Sequence, residues 1–418
     1  MQLVAYGAQD IYLTGQPQIT FFKSVYRRHT NFATESILQT INGTSGAGSR
    51  VSVTVSRNGD LLKCLWVQYN PNTFFASGTL GCDFGHALFD QLELEIGGQL
   101  IDRQYGKWLT IWRDLTEVNS VGAQGELGLN GAEPGINIDS DGNPSARYNR
   151  MSYTHQSGGA TAMTSAPSEA YVPMRFWFCR NPGLALPLIA LQYHEVKFNI
   201  TFAPVSSIVY GTPSASAGYS TVAVYADYVY LDTTERRQFA QNAHEYLIDQ
   251  LQIQSDSASG GTVRLNFNHP VKELIWTGAP VSPTGAGSSI EDVQGGATPT
   301  AIVTSTTGSL TNVKAKIVLN GTDRFTERNL KYFTRNQVWD CHTGFGATGV
   351  PDSVAVYSFA LRPEEHQPSG TCNFSRIDTA QLVFNKGNET LASTIDIYAV
   401  NYNVLRIMSG MGGLAYSN

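Results

Sequence analysis

Apolar and polar residues alternate along several short stretches of this 418-residue chain. One stretch covers residues 51–55, with valine at every second position, and another covers 263–267. A period of two places one face of a strand against a core and the other toward solvent. Residues that favour turns are concentrated between such stretches, at 43–49, 57–60, 255–261 and 268–270. The pattern predicts half-buried β-strands joined by short turns.

The chain also repeats itself. Residues 35–66 align without a gap with residues 245–276, so that Trp66 falls on Trp276. Later segments match with a shifting offset: 94–98 with 318–321, 175–182 with 357–363, 195–198 with 381–384, and 224–231 with 397–404. Counting the strands gives about eight per half, with turns spaced as in a jelly roll. We predict an all-β protein of two tandem eight-stranded jelly-roll β-sandwiches, a double jelly roll, with short helices in connecting loops.

The matching segments 94–98 and 318–321 are each followed by an Asp-Arg pair, and a short helix is predicted after the first of these pairs. Five apolar residues recur there at spacings of three and four, namely Tyr105, Trp108, Leu109, Trp112 and Leu115. This spacing indicates an amphipathic helix that covers one side of a sandwich. Residues 329–334 are its weaker counterpart in the second half.

The repeat divides the chain into three parts. Residues 1–34 form an N-terminal arm, 35–235 the first jelly roll and 236–418 the second. The first jelly roll carries an insertion at about 117–168, rich in Gly, Ser, Asn and Ala, which we expect to be a surface excursion. The charges and lost alternation of residues 232–241 mark the linker between the halves.

Composition supports the all-β prediction and limits the classes of partner that the chain is expected to bind. The chain has 40 Gly, 20 Tyr and 19 Phe but only 15% charged residues. Its net charge of -6 gives no general attraction to phosphate backbones, so we expect no direct contact with nucleic acid. The five cysteines are scattered, which favours reduced thiols over a metal site or a disulfide framework. No signal peptide or membrane span is evident, so we expect synthesis in the cytoplasm.

Two kinds of candidate site remain. The basic residues Lys23, Arg27 and Arg28 stand among aromatic residues and could contact an inner-face partner protein or an anionic membrane face; a solvated basic turn is the alternative. Five N-x-S/T sequons occur, at Asn42, Asn199, Asn320, Asn373 and Asn388. We select Asn388 and Asn42 as the candidate N-glycosylation sites.

No catalytic constellation stands out, and we predict no enzyme activity, no metal and no cofactor. Residues 344–349 satisfy G-x-G-x-x-G, but no strand-then-helix pair surrounds them, so a glycine-rich loop is expected. Residues 139–143 have part of a calcium-loop spacing, yet the glycine and glutamate positions are filled by other residues. His194 and His244 are interpreted as strand-entry residues.

Several long segments resemble one protein family over nearly the whole chain. They are 7–23, 26–32, 182–195, 265–270, 367–378 and 401–416. These segments are similar to the major capsid proteins of nucleocytoplasmic large DNA viruses, most closely to the algal-virus (phycodnavirus) type. The resemblance implies a late virion protein, often glycosylated on outer loops, that is assembled in the host cytoplasm.

The resemblance also implies an assembly. Three chains, each with two jelly rolls, would form a homotrimer whose pseudo-hexagonal outline tiles an icosahedral shell, beside neighbouring capsomers and minor capsid proteins, with the inner viral membrane face as a further candidate contact. The loops expected to face outward are 43–49, 71–91, 181–185 and 203–221 in the first half and 255–261, 279–312, 363–369 and 385–393 in the second.

Two other classes stay open from the residues alone. A β-sandwich lectin would expose aromatic platforms in a concave groove, whereas the aromatic residues here alternate inward. A sandwich-fold glycosidase would need two facing carboxylates, separated by about 5 Å or by about 6.5 to 9.5 Å.

Overall fold

The computed structural model describes most of both halves. The described residues are 7–69, 79–80, 83–117, 147–152, 169–204, 209–210, 222–278, 300–303, 312–344, 346 and 352–416. The 139–143 loop and most of the predicted insertion at 117–168 lie outside them.

The first half consists of strands joined by short helices. Its strands are β1 (Phe32–Gln39), β2 (Ile41–Asn42), β3 (Arg50–Thr54), β4 (Leu61–Tyr69), β5 (Thr79–Leu80), β6 (Phe89–Ile96), β7 (Gln99–Gln104), β8 (Ala170–Pro173), β9 (Leu186–Pro187), β10 (Val196–Phe202), β11 (Val209–Tyr210) and β12 (Val222–Leu231). Its helices are α1 (Asp10–Thr14), α2 (Phe84–Ala87), α3 (Gly106–Thr116), α4 (Arg147–Ser152), α5 (Trp177–Arg180) and a 3-10 turn at Pro182–Leu184.

The predicted linker between the halves is helical, as α6 (Thr233–Gln241). The strands that follow are β13 (His244–Ser257), β14 (Thr262–Arg264), β15 (Pro270–Gly278), β16 (Lys314–Leu319), β17 (Thr322–Asp323), β18 (Arg328–Asn329), β19 (Ala355–Ser358), β20 (Cys372–Asn373), β21 (Ala380–Asn385), β22 (Thr394–Met408) and β23 (Met411–Leu414). The helices are a π-helical turn (Tyr332–Asn336), α7 (Gln337–Cys341) and a 3-10 turn (Phe374–Arg376).

Both halves have the same sheet topology. In the first, one sheet has the order β1-β12-β4-β8 and the facing sheet the order β3-β10-β6-β7, with β2 at its edge. In the second, the corresponding orders are β13-β22-β15-β19 and β14-β21-β16-β17. In the first half the strands lettered B to I are β1, β3, β4, β6, β7, β8, β10 and β12. In the second half they are β13, β14, β15, β16, β17, β19, β21 and β22. The two sheets of each half then have the strand orders B-I-D-G and C-H-E-F. The predicted double jelly roll is confirmed.

Each pair of sheets encloses its own apolar core. In the first core, alternate residues such as Val53, Phe198 and Val224 are fully buried. The cores are joined because the long strands β13 and β22 continue past the second sandwich. Their residues Ile248 and Leu405 pack into the core of the first half.

The gapless alignment of residues 35–66 with 245–276 is wrong at strand D. Trp66 lies opposite Tyr225, and Ile275 lies opposite the matching tyrosine, Tyr398. Trp66 therefore corresponds to Ile275 and not to Trp276. Both D strands contain a bulge at the same place, at Lys63 and Lys272, so the shift arises before the bulge, and a shift of one residue sends a side chain to the other face of the sheet.

Strand B is also shifted. Leu38 lies opposite Tyr225 and Ile253 opposite Tyr398, so these two correspond, although the gapless alignment would place Leu38 on Ile248. The alignment holds at strand C, where Val53 lies opposite Phe198 and Val263 opposite Leu382. Phe198 and Leu382 correspond, since they face Leu94 and Ile317 at the same place in the E strands, so the match of 195–198 with 381–384 is wrong by two residues. The true repeat contains small gaps in the turns between strands.

The predicted helix forms as α3, but it is not amphipathic in the expected sense. Every residue from Gly106 to Leu115 is buried. Leu109 packs into the first core, while Trp108 and Trp112 pack against the second half. A helix that is buried on all sides lies between two bodies, and α3 fills the space between the two sandwiches.

The BC, DE and HI loops meet at one end of each half, as predicted. Backbone hydrogen bonds join Gly48 to Ala203 and Ala203 to Leu88 in the first half, and Ala258 to Ser393 in the second. The α4 segment of the insertion joins this end, and it is not a pure surface excursion, because Ser152 is fully buried.

The assignment of the FG loops is wrong. Residues 181–185 and 363–369 were expected to be FG loops, but both lie between strands G and H. In each half this GH connection pairs with the start of strand D, at the opposite end of the sandwich. The FG loops are the long segments after β7 and β17, which contain α3 and α7.

Candidate assembly surfaces

The contact between the two halves is a built interface with α3 at its centre. The ring of Trp108 lies 5.5 Å from that of Tyr398 on β22, and Trp112 lies under the guanidinium of Arg180 at 4.8 Å. The surrounding residues of β15 and β19 are buried and apolar. Such an interface holds the two sandwiches as one unit.

A buried lysine bridges the halves. Lys107 on α3 donates to Asp396 Oδ2 at 2.8 Å and to the carbonyl oxygen of Gly278 at 2.6 Å. Burial lowers the pKa of Lys107 to about 8, against the opposing effect of Asp396. Removing one partner of such a pair leaves a buried charge uncompensated.

Two arginines form buried ion pairs near this interface, and one of them crosses between the halves. Arg113 on α3 is fully buried and contacts Asp83 and Asp114, each at 2.6 Å. Arg180 of the first half reaches Asp249 on β13 at 2.9 Å, and Lys272 contacts the same carboxylate at 3.2 Å. Burial would raise the pKa of Asp249, but the two cations outweigh it and hold that pKa well below its ordinary value.

A buried histidine lies just past α7. His342 Nδ1 is 3.0 Å from Glu364 Oε1, and Nε2 is 3.0 Å from Glu273 Oε2, an ion-pair contact without the alignment of a hydrogen bond. Burial lowers the pKa of His342, but the carboxylates of Glu273 and Glu364 outweigh this and raise it to about 9. His342 is therefore protonated at neutral pH.

The two candidate glycosylation sites are exposed. Asn42 ends β2 beside the BC loop, and Asn388 lies in the turn between strands H and I, so both are at the BC, DE and HI end. Asn199 is buried in β10 and donates to Glu95. Asn373 accepts a backbone hydrogen bond from Ser375 within its own turn, and Asn320 accepts one from Asp378, in the segment before strand H.

The N-terminal arm is exposed along its described length, from residue 7 to the start of β1. Lys23, Arg27 and Arg28 are exposed and stand among large exposed apolar residues, which are Ile11, Tyr12, Leu13, Ile19, Phe21, Phe22, Val25 and Tyr26. The arm enters the sandwich at Phe32, opposite Leu231, at the end away from the BC loop.

The discounted motifs have structural explanations. Gly344 and Gly346 donate their backbone N–H groups to the carbonyl oxygens of Leu115 and Asp114, which closes the C-terminal end of α3. His244 is the first residue of β13, and His194 lies two residues before β10.

Cys64, Cys179, Cys341 and Cys372 are free thiols, and Cys82 lies outside the described residues. Within the described part of the chain, no group of three His, Cys, Asp or Glu side chains could hold a metal ion. No helix there is long and apolar enough to span a membrane.

Comparison with known proteins identifies the family. Residues 20–232 match the family model for the N-terminus of major capsid proteins, and residues 235–413 match that of large eukaryotic DNA virus major capsid proteins. The major capsid protein of Pyramimonas orientalis virus is 46% identical, and that of Paramecium bursaria Chlorella virus 1 is 42% identical. Each alignment covers 100% of this chain and 99% of the relative. The chain belongs to the family of major capsid proteins of large eukaryotic DNA viruses.

Solved structures agree with this membership. A chain of the PBCV-1 virus capsid superposes with a TM-score of 0.71 at 38% identity, covering 96% of this chain and 100% of that one. The Faustovirus major capsid protein superposes with a TM-score of 0.68 at 12% identity, covering 96% and 94%, which supports the fold alone. The chain is thus a structural component of a virion, and the prediction that it is not an enzyme is confirmed by its family.

The sequence did not reveal the buried charges between the halves. Lys107 and Asp396 are 289 residues apart, so no local spacing connects them. One signal was present: Lys107, Arg113 and Asp114 lie in a helix that also carries two tryptophans and three other large apolar residues, and charged residues are rarely fully buried unless paired.

Proposed function

We propose that three copies of this chain form a trimeric capsomer with a pseudo-hexagonal outline, which tiles an icosahedral shell beside neighbouring capsomers. The duplicated B-I-D-G and C-H-E-F topology is the observation that supports this proposal most strongly. Two similar sandwiches per chain, related by a three-fold axis, present six near-equivalent sides.

The capsomer has an outer and an inner end. The BC, DE and HI loops form the outer end, because their Gly, Ser, Thr and Pro content suits exposed loops on which no core packing depends. Asn42 and Asn388 are exposed there and are the proposed glycan sites. An intact mass above 45.5 kDa for protein from infected cells would support glycosylation. Loss of the excess in an Asn388→Gln/Asn42→Gln variant would locate it.

The N-terminal arm lies at the other end and is the proposed inner-face contact. Its exposed aromatic residues and the cations Lys23, Arg27 and Arg28 suit a minor capsid protein or an anionic membrane face. Direct contact with the genome is not proposed, because the net charge is -6.

We place the arm at 1–34, the first jelly roll at 35–235 and the second at 236–418, with synthesis and assembly in the host cytoplasm. The helical junction α6 at Thr233–Gln241 lies at the proposed boundary.

Light scattering with mass measurement on the purified chain tests the capsomer directly. We expect a particle of three times the chain mass of 45.5 kDa. A chain that stays monomeric at every salt and protein concentration would contradict the proposal.

A further inference from the structure

The second half contains a helical segment in the same place as α3. Lys331-Tyr332-Phe333-Thr334 follows the F strand as Lys107-Trp108-Leu109-Thr110 does in the first half. Burial supports the correspondence, because Leu109 packs into the first core and Phe333 into the second. Residues 332–341, which we call the second FG helix, are therefore the counterpart of α3.

The two helices differ on the side that faces away from their own cores. In α3 this stripe is Trp108, Ile111, Trp112 and Leu115, all buried against the other half of the chain. In the second FG helix the outward residues are Arg335, Asn336 and Trp339, whereas Tyr332, at the position of Trp108, is half-buried against the second core. Trp339 is 81% exposed, and Arg335 and Asn336 are exposed too.

The surface that α3 covers also has a counterpart. The helix α3 of the first half packs on the outer side of the B-I-D-G sheet of the second half, where Ile275 and Tyr398 are buried. The corresponding residues of the first half are Trp66 and Tyr225, which are only half-buried. Beside them Leu38 is 58% exposed and Tyr171 is 39% exposed. We call this surface the first-half face.

We propose that the second FG helix of one copy packs on the first-half face of the next copy, as α3 packs on the second half within a chain. The proposal rests on the proposed trimer and assigns its interface. Each copy offers one helix and one face, so three such contacts close a ring of six sandwiches.

The chemistry of the two surfaces suits a contact made after folding. Arg335 is already held by Asp352, whose Oδ2 lies 2.6 Å from Nη2, so its guanidinium is oriented and its charge balanced. The first-half face is similarly prepared, since Trp66 Nε1 donates to Asp227 at 2.8 Å. Exposed tryptophan, tyrosine and arginine are the residue types that dominate the binding energy of protein interfaces.

A single substitution tests the helix side. Trp339→Arg should weaken the trimer by at least about 30-fold in dissociation constant, which is the usual effect of losing a tryptophan at an interface centre. Tyr193→Arg is the matched control, because Tyr193 is 75% exposed at the GH end and outside both surfaces. Circular dichroism checks that each variant is folded. If Trp339→Arg is folded and its trimer dissociates no more readily than that of the control, the proposal is wrong.

Chemical cross-linking tests both surfaces without weakening the particle. In a Tyr171→Cys/Trp339→Cys variant, a short bis-maleimide should join neighbouring chains into bands of two and three times 45.5 kDa on a denaturing gel. The wild-type chain, which keeps its five native cysteines, and Tyr193→Cys/Trp339→Cys are the controls.

The outcomes separate the two proposals. A particle with trimeric mass whose Tyr171→Cys/Trp339→Cys chains give no more cross-linking than the controls would overturn the assigned interface and leave the trimer standing. A wild-type chain that is monomeric throughout would instead contradict the trimer itself.

Discussion

The two FG helices occupy the same place in two similar sandwiches, yet their outward stripes differ. The stripe of α3 is buried and apolar because its partner is another part of the same chain. The stripe of the second FG helix carries Arg335, Asn336 and an exposed Trp339. An interface within a chain forms once, during folding, and resembles a core, whereas a surface that meets a separate copy must stay soluble beforehand. The difference between the stripes thus separates a folding contact from an assembly contact.

The largest expected effect comes from truncating a tryptophan on each helix. Trp112→Ala should lower the free energy of unfolding by about 4 kcal/mol, because it empties a buried site between the halves. Trp339→Ala should change the stability of the monomer by less than about 0.5 kcal/mol, since this side chain is 81% exposed. Denaturant unfolding at a concentration that favours the monomer measures both. Equal losses would mean that the two helices do not differ in role.

Next comes the pair of lysines at matching positions. Lys107→Met should cost about 3 to 4 kcal/mol, because Asp396 is left buried without its cation. Lys331→Met, at a half-buried position, should cost less than about 0.5 kcal/mol. The double variant Lys107→Met/Asp396→Leu should recover most of the loss. If the double variant is as unstable as the single one, packing and not charge accounts for the effect.

The two halves also contain buried histidines with opposite behaviour. The pKa of His342 is raised to about 9 from its ordinary 6.5, so the folded state binds more protons between these values and stability should fall as pH rises from 6.5 to 9. The pKa of His86 is lowered well below 6.5 by burial and by Arg113, so stability should also fall as pH drops below 6.5.

Variants separate these two contributions. Subtracting the stability of His342→Gln from that of the wild type should give a difference that shrinks by about 3 kcal/mol between pH 6.5 and pH 9. The subtraction cancels Lys107, whose lowered pKa of about 8 acts in the opposite direction at higher pH. A difference that is flat over this range would show that His342 is not charged in the folded chain.

The smallest effect concerns the loop that ties the second FG helix to α3. A Cβ at Gly344 would lie 2.4 Å from the carbonyl carbon of Leu115, so Gly344→Ala should cost about 2 kcal/mol. A Cβ at Gly260 would meet no atom within 4 Å, which makes Gly260→Ala the matched control. Melting temperatures compare the two, and equal values would mean that this loop does not hold the helices together.

Much of the fold could be predicted because the alternation of apolar and polar residues along a strand reflects which of its side chains are buried. The alternation at 51–55 and 263–267 reports the C strands, and the repeat of these patterns gave two jelly rolls. The register could not be predicted, because the connection from strand C to strand D is one residue shorter in the second half, and the gapless match of the sequences conceals this difference. Trp66 and Trp276 therefore looked equivalent although one is outward and the other is in a core.

The α3 interface was missed for a related reason. The spacing of Trp108 and Trp112 predicts one apolar stripe, but the partners that also bury the polar side chains come from a sequence about 290 residues away. The FG assignment failed because the first FG loop contains the insertion and is much longer than a typical loop. The residue types indicated that the segment of α3 was unusual, but only the structure showed which residues that helix packs against.

A density map of the purified particle, at a resolution that separates helices from strands, tests the central claim most directly. We expect six sandwiches in a ring, with residues 332–341 of each copy lying on the sheet that carries Trp66 and Tyr225 of the next, in the geometry of α3 on Ile275 and Tyr398 within a chain. A trimer in which Trp339 faces solvent and the first-half face is uncovered would contradict the account.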